Sequence, residues 1–145
     1  MIQTVHMVCG VPGSGKSWVC EQLTERFAYI KHDDYIGQKP HLATAPNNFV
    51  AAIIAAATKD KPVLIDCPFA ERELRAKIEA VGLKVKPWFI VEPTEVVKSR
   101  YFSRTGRDLP QASVTRSVSI VNRANEWQAP HGPAVAVLEA LKRVT

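Results

Sequence analysis

The sequence predicts an α/β domain in which a parallel sheet of about four to five strands is covered by helices on both faces, a three-layer architecture. Short apolar runs alternate with segments of helical periodicity along the chain. A glycine-rich stretch joins the first apolar run to the first helix. The length of 145 residues, with 46% hydrophobic and 23% charged residues, is typical of one globular domain, so we treat residues 1–145 as a single unit.

The strands are predicted from compact apolar runs that end in polar residues or glycine. The four runs are Ile2–Cys9, which leads into Gly10, Tyr29–Lys31, Val63–Asp66, which follows Pro62, and Val85–Val91. Because helices separate these runs, neighbouring strands should be parallel and buried on both faces.

The helices are predicted where apolar residues recur every three or four positions. In the second helix, Phe49, Ile53 and Ala57 repeat at intervals of four and form a buried face. Gly82 suits the end of the third helix, and Pro93 suits the start of the fourth. The predicted helices are Gly15–Phe27, Asn47–Thr58, Glu71–Val81, Thr94–Arg104, Gln111–Trp127 and Ala134–Arg143, with a turn-rich loop at Thr105–Pro110 and a break at Pro130–Pro133.

The composition indicates where the protein works. The three cysteines, Cys9, Cys20 and Cys67, form no Cys-x-x-Cys pair, which favours a reduced cytoplasmic protein with cysteines as core residues. No apolar run approaches the roughly 18 residues of a membrane helix, and the first residues lack the layout of a signal peptide. The four histidines show no metal-ligand spacing. We therefore expect neither secretion nor membrane spanning.

The positive charge of the chain is concentrated in one stretch. Lys98–Arg123 holds six of the nineteen basic residues and only Asp108 of the fourteen acidic ones, so it accounts for the whole formal net charge of +5. Such a basic block indicates a binding place for an anion, either a phosphate, a nucleotide or a nucleic-acid backbone. A solvated helix face is the alternative.

The residues Gly10–Ser17 match the motif GxxxxGK[ST] in the strand–loop–helix setting that this motif requires. The backbone N–H groups of Gly13, Ser14 and Gly15 would face a phosphate chain, with the positive end of the next helix behind them. Lys16 would contact the β- and γ-phosphates of ATP, and the Ser17 hydroxyl would bind Mg²⁺. A purely structural glycine turn is the alternative.

Carboxylates follow the second and third strands, at the same sheet edge as the phosphate loop. A carboxylate of Asp33 or Asp34 can orient an acceptor hydroxyl and take its proton; the alternative is that one caps the next segment and the other is solvated. Asp66 ends the third strand, where we expect it to hold Mg²⁺ through a water. The alternative for Asp66 is an N-cap for the segment from Phe69.

A lid is predicted at approximately residues 100–112, where a helix end and a loop carry three arginines. Arg100 and Arg104 are four residues apart and therefore lie on one helix face. Arginines on a closing lid can bind ATP and neutralise charge on the moving phosphoryl group. We assign Arg100 to the nucleotide, and Arg104 and Arg107 to catalysis.

In this order the motifs resemble the kinase module of phage polynucleotide kinase and related small P-loop kinases, including zeta-toxin-like ones. The resemblance covers most of the chain and rests on Gly10–Ser17, Asp33–Tyr35, Val63–Asp66, and Pro93–Lys98 with Arg104–Pro110. It implies a P-loop fold in which Asp33 is the general base and Lys16 and Ser17 contact phosphate and Mg²⁺. The sequence departs from the family at Ile36, where an acceptor-binding arginine is common, and at Cys67 and Pro68, which replace polar residues.

These features predict an ATP- and Mg²⁺-dependent kinase that phosphorylates a hydroxyl group. We favour an acceptor on nucleic acid, either a 5′-hydroxyl or the hydroxymethyl of a modified base as in phage DNA modification, bound by Asp34, Arg116 and Arg123. The departure at Ile36 favours the first alternative, a small-molecule kinase acting on a nucleoside, sugar or nucleotide-sugar. The second alternative is a nucleotide-binding switch, against which Asp33 argues because a switch needs no acceptor base.

Overall fold

The computed structural model describes residues 3–35, 45–57, 60–67 and 71–144, with only the backbone described for Asp33, residues 45–47 and Glu71. Five strands form one sheet: β1 (Thr4–Cys9), β2 (Ala28–Ile30), β3 (Val63–Cys67), β4 (Lys84–Ile90) and β5 (His131–Gly132). They lie in the order β2-β3-β1-β4-β5, and every neighbouring pair is parallel. The central strand β1 therefore ends between β3 and β4, at the edge where α/β proteins bind ligands.

In the described part of the chain, six α-helices and one short 3₁₀ helix lie between and after the strands. The α-helices are α1 (Lys16–Glu21), α2 (Ala45–Ala57), α3 (Glu71–Ala80), α4 (Thr94–Thr105), α5 (Gln111–Glu126) and α6 (Ala134–Lys142), and the 3₁₀ helix is His32–Asp34. Pro93, Pro110 and Pro133 directly precede α4, α5 and α6. A proline suits such a place because its φ is fixed near the helical value and it has no N–H to leave unpaired.

The helices pack on both faces of the sheet, which confirms the predicted three-layer α/β architecture. On one face, α1 and α6 bury a cluster that includes Leu23 and Leu141 against Leu64 of β3. On the other face, α2, α3 and α5 bury a cluster that includes Ile53 and Ile78 against the central strands. Each fully buried side chain of this size contributes about 1.5–3 kcal/mol to folding. The two clusters therefore hold the strands and helices in place, and with them the sheet edge on which the site lies.

The structure departs from the predicted elements in two places. The first helix ends at Glu21 and not at Phe27, because residues 22–27 form turns that redirect the chain into β2 while Leu23 and Phe27 stay buried. The break at Pro130–Pro133 contains the short strand β5, which pairs with β4 through Phe89 and His131. A strand of two residues is too short to produce a periodic pattern, so the sequence did not predict it.

The environment of the cysteines agrees with the sequence prediction. All three are free and buried in the core clusters on the two faces of the sheet. Cys9 and Cys67 are register partners at the carboxyl ends of β1 and β3. Among the residues that the structure describes, no helix combines the length and the apolar character needed to cross a membrane.

Candidate active site

The phosphate loop occupies residues 10–15 between β1 and α1. Gly13 and Gly15 have φ angles of +88° and +100°, in a region that side-chain-bearing residues rarely adopt. The N–H of Ser14 donates to the carbonyl of Val11 at 3.0 Å, which closes the turn of the loop. The backbone conformation of the loop therefore requires glycine at positions 13 and 15.

The loop is also packed tightly against α4. A Cβ atom on Gly13 would lie 2.8 Å from the carbonyl oxygen of Val97, too close for any side chain to fit. Val11, Val97 and Leu109 form a small buried cluster, so the linker between α4 and α5 is anchored to the loop at Leu109. The base of the predicted lid thus touches the phosphate loop directly.

Arg100 connects the phosphate loop to two further elements. Its Nη1 donates to the carbonyl of Ser14 at 3.2 Å, and its Nη2 lies 3.8 Å from Oε2 of Glu92. The other carboxylate oxygen of Glu92 accepts the backbone N–H of Ala134, the first residue of α6, at 2.8 Å. One chain of polar contacts therefore joins the loop, α4 and α6.

A cleft of about 400 Å³ opens beside this network. Its lining residues are Gly15, Trp18, Glu92, Arg100, Ala134 and Val135. Trp18 and Val135 are unusually exposed for apolar residues, at 45% and 61%. The sequence did not predict Trp18, Glu92 or Val135 as cleft residues. Trp18 directly after Ser17 is visible as a departure from the resembled family, where a second hydroxyl residue would follow.

Asp66 lies in β3 beside Val8 of β1 and holds the segment after β2. It is only 2% exposed, and its Oδ1 accepts the backbone N–H of His32 at 2.9 Å. Asp66 lies inside β3, and the segment from Phe69, for which an N-cap role of Asp66 was the alternative, begins outside the described residues. Burial and the Asp66 carboxylate raise the pKa of the Cys20 thiol, which the positive charge of Lys16 opposes. Asp66 and Lys16 therefore act in opposite directions on one buried thiol.

The Asp33–Asp34 pair lies at the predicted sheet edge. Both residues belong to the 3₁₀ helix, whose first N–H is the one that Asp66 holds. The side chain of Asp34 is exposed, whereas that of Asp33 lies outside the described part of the structure. Ile36, the position that departs from the resembled family, is also outside the described residues.

The other arginines of the predicted site lie on α4, on the linker after it and on α5. The guanidinium of Arg104 lies 5.6 Å from the ring centroid of Tyr101, and Arg107 is exposed in the linker with its N–H donating to Thr105 Oγ1 at 3.2 Å. Arg116 and Arg123 are partly buried on α5 and line a second, separate cavity. Within the described residues, no group of three or more His, Cys, Asp or Glu side chains could hold a metal ion.

Comparisons with known proteins identify the fold of this chain but show no family to which it belongs. No protein-family model matches the sequence, and no curated protein matches it. A gluconokinase from Sinorhizobium meliloti 1021 is 21% identical with a TM-score of 0.61, covering 97% of this chain and 93% of that one. The tunicamycin resistance protein of Deinococcus radiodurans is 17% identical with a TM-score of 0.66, covering 95% and 92%.

A third match comes from an RNA repair complex, Pnkp1/Rnl/Hen1. It is 18% identical with a TM-score of 0.67 over 86% of this chain, which spans only 46% of the matched chain. At such identities the shared feature is the fold. The phosphate loop, the parallel sheet and these neighbours agree with the resemblance that the motifs indicated: this chain has the fold of the small P-loop kinases.

Proposed function

We propose that this chain is an ATP-dependent kinase that transfers the γ-phosphate to a hydroxyl group. The observation that carries the proposal is the 2.9 Å hydrogen bond from His32 N–H to Asp66, which brings the Asp33–Asp34 turn to the same sheet edge as the phosphate loop. The turn that carries the candidate acceptor base and the proposed donor site then belong to the same sheet edge. The gluconokinase and the RNA repair chain of the same fold support phosphoryl transfer as the reaction class.

In the proposed reaction the acceptor oxygen attacks the γ-phosphorus, and a new O–P bond forms as the bond to the β-phosphate oxygen breaks. ADP leaves, and the hydroxyl proton passes to the carboxylate of Asp33. Lys16 stabilises the charge on the β- and γ-phosphate oxygens. Ser17 and Asp66 would hold Mg²⁺, Asp66 through a water, since one oxygen of its carboxylate remains beside the one that binds His32. The ion would neutralise phosphate charge.

The cleft beside Arg100 suits the nucleoside part of ATP. It adjoins Gly15 at the end of the loop, and its apolar surface comes from Trp18, Ala134 and Val135. A flat aromatic base gains contact with an exposed indole and with a guanidinium plane. We place the nucleoside there and the triphosphate along residues 13–17.

The lid remains part of the proposal. Arg104 and Arg107 are exposed on the end of α4 and on the linker, and Leu109 anchors the linker to the loop. We propose that this segment closes over the γ-phosphate, where the two guanidinium groups would neutralise the charge that develops in the transition state. We place the reaction in the cytoplasm, which the three free cysteines support.

For the acceptor we favour nucleic acid, with Asp34, Arg116 and Arg123 as binding residues. The basic stretch Lys98–Arg123 carries the whole net charge of the chain, as binding to a phosphate backbone needs. The match to the RNA repair complex favours the same class. The acceptor hydroxyl would be a 5′-hydroxyl or the hydroxymethyl of a modified base.

A small-molecule acceptor is the second candidate. The gluconokinase covers 97% of this chain and is itself covered over 93% of its length, so a chain of this size suffices for a sugar kinase fold. In that case Arg116 and Arg123 would bind an anionic group of a small substrate. The two candidates differ most in how acceptor binding depends on salt.

The experiment is transfer of labelled γ-phosphate from ATP to a panel of acceptors. The panel contains single-stranded DNA and RNA with 5′-hydroxyls, DNA with hydroxymethyl bases, free nucleosides and gluconate. Labelled nucleic acid, with an acceptor KM that rises steeply between about 50 and 200 mM salt, supports the favoured candidate. Label only on a small molecule, with a flat salt dependence, contradicts it and supports the second.

A further inference from the structure

The 3₁₀ turn His32–Asp34, which carries the two adjacent carboxylates, has little stability of its own. It is closed by two backbone hydrogen bonds, from the N–H of Asp34 to the carbonyl of Lys31 at 3.2 Å and from the N–H of Tyr35 to the carbonyl of His32 at 3.0 Å. Fixing the first turn of a helix costs more conformational entropy than its hydrogen bonds return. Contacts with other elements must therefore hold this turn in one conformation.

Phe49 of α2 contacts the residues on both sides of the Asp33–Asp34 pair. The ring of His32, directly before the pair, meets the Phe49 ring edge-on, with the ring centroids 4.8 Å apart and the planes at 76°. The ring of Tyr35, directly after the pair, has its centroid 5.6 Å from that of Phe49, with the planes at 46°. Both distances lie in the range of about 4.5–7 Å in which aromatic rings attract each other. Phe49 therefore holds the turn at both ends.

The attachment point on α2 is rigid. Phe49 is 1% exposed and belongs to the core cluster that α2, α3 and α5 bury against the central strands. A side chain in such a close-packed core keeps one position. His32 and Tyr35 are half-buried, so the ring contacts lead from the core to the surface, where the Asp34 side chain is exposed. We call Phe49, His32 and Tyr35 the aromatic clamp.

The backbone of His32 is held separately by β3. Asp66 accepts the His32 N–H at 2.9 Å, so His32 is fixed through its backbone by β3 and through its ring by α2. One hydrogen bond fixes a single point, about which the turn could still pivot. The two ring contacts of the aromatic clamp fix the turn at further points and remove that freedom.

We propose that Phe49 is a positioning residue for phosphoryl transfer: through His32 and Tyr35 it fixes the turn that presents the acceptor base. This inference rests on the proposed kinase function and adds α2 to the elements that serve the acceptor side. A general base must lie within hydrogen-bond reach of the proton that it takes, and a displacement of about 1 Å can lower the rate about 10²-fold. Loosening the clamp should therefore lower kcat and leave nucleotide binding at the phosphate loop unchanged.

The first test compares Phe49→Leu with Phe27→Leu. Phe27 is a matched control because it is also 1% exposed and also meets a histidine ring edge-on, that of His6 at 5.5 Å, but in the cluster on the opposite face of the sheet. Both variants should lose stability in urea, and both are assayed where they remain folded. Only Phe49→Leu should lower kcat for transfer of labelled γ-phosphate, by about 10–10²-fold. ADP affinity, measured by calorimetry, should stay near the wild-type value in both.

Tyr35 offers variants at a half-buried position, which keep the test open if Phe49→Leu fails to fold. Tyr35→Phe keeps the ring and should retain the wild-type kcat. Tyr35→Leu loses the ring contact with Phe49 and should lower kcat. An equal loss in both variants would mean that the hydroxyl of Tyr35 and not its ring matters, which would contradict the clamp.

Amide hydrogen exchange tests the clamp without turnover. The reporter amides are those of His32, Asp34 and Tyr35, which donate to Asp66 and to the carbonyls of the turn. Relative to the amides of β1, they should exchange at least about 2-fold faster in Phe49→Leu, the smallest effect expected for the loss of one aromatic pair. Phe27→Leu should leave this ratio at the wild-type value.

Unprotected reporter amides in the wild type would overturn the inference, as would an equal change of exchange in Phe49→Leu and Phe27→Leu or a wild-type kcat in Phe49→Leu. If the wild type transfers phosphate and these two variants behave alike, the kinase proposal stands and the clamp fails. If the wild type transfers no phosphate, the kinase proposal fails and with it the catalytic purpose of the turn. The exchange comparison then still decides whether Phe49 holds the turn in place.

Discussion

At the scale of single residues, the chemistry depends on two adjacent carboxylates with different proposed roles. Asp33 accepts the proton of the acceptor hydroxyl, and Asp34 helps to bind the acceptor. Asp33→Asn keeps the size of the side chain but removes the base, so kcat should fall about 10²–10⁴-fold while ATP affinity stays near the wild-type value. Steady-state kinetics with calorimetric ATP binding measure both. A large loss in Asp34→Asn with Asp33→Asn near wild type would show that the two roles are reversed.

Trp18 is a residue whose contribution can be separated from that of the phosphate loop. If the nucleoside packs on its half-exposed indole, Trp18→Ala should weaken ADP and ATP binding about 10-fold, the size of one aromatic–base contact. Binding of inorganic tripolyphosphate should not change, because it has no base. Phe102→Ala, at an exposed aromatic on α4, is the control. An equal loss for tripolyphosphate would mean that Trp18 acts on the loop itself.

At the scale of elements, Glu92 joins α4 to α6. Its carboxylate accepts the first N–H of α6 and faces Arg100. Glu92→Ala removes both contacts and should lower the free energy of unfolding by about 1–2 kcal/mol, the usual cost of a lost helix cap. Glu92→Gln retains an acceptor oxygen and should lose less. Urea unfolding of both variants checks this, and equal losses would show that the charge and not the cap is what stabilises α6.

The same scale shows what the sequence could predict. The long elements followed from apolar periodicity, because α5 and β4 each bury one clear set of side chains. The phosphate loop followed from its glycines, lysine and serine at fixed spacing. The sequence did not predict the end of α1 at Glu21 or the two-residue strand β5. Tertiary contacts, and not the local sequence pattern, determine both features.

The sequence predicted the motifs of the candidate site. It did not predict the contacts between site residues that lie far apart in the sequence. Asp66 was expected at the end of its strand, but its bond to His32, 34 residues away in sequence, depends on the pairing of β2 with β3. The contact of Arg100 with Ser14 joins residues 86 apart, and Glu92 with Ala134 joins residues 42 apart. Such contacts arise from the strand order, which periodicity alone leaves open.

At the scale of the whole molecule, a histidine in the core makes stability depend on pH. His6 of β1 is 4% exposed and accepts the indole N–H of Trp88 through Nδ1 at 3.1 Å. Burial, and secondarily the charge of Lys86, lower its pKa from 6.5 to about 4. Between these pH values the unfolded chain binds the proton and the folded chain does not, so acidification favours unfolding.

The pKa of His6 therefore predicts a loss of up to about 3 kcal/mol as the pH falls from 6.5 to below 4, relative to a variant without this group. His6→Gln keeps an acceptor for Trp88 and removes the titration. The difference between the two unfolding free energies, measured in urea from pH 4 to pH 8, isolates His6 from the carboxylates. A difference that does not change with pH would contradict a buried neutral histidine.

The central claim is that the phosphate loop of this chain positions ATP for transfer to an alcohol. Lys16→Ala tests it most directly, because it removes charge neutralisation at a partly exposed position and leaves both core clusters intact. The measurement is the rate of labelled γ-phosphate transfer to the preferred acceptor, with urea unfolding as a check on the fold and Lys142→Ala as a control on α6. The account predicts transfer by the wild type and the control, and almost none by Lys16→Ala. Retention of more than about a tenth of the wild-type rate, a loss of less than about 1.4 kcal/mol in transition-state stabilisation, would contradict it.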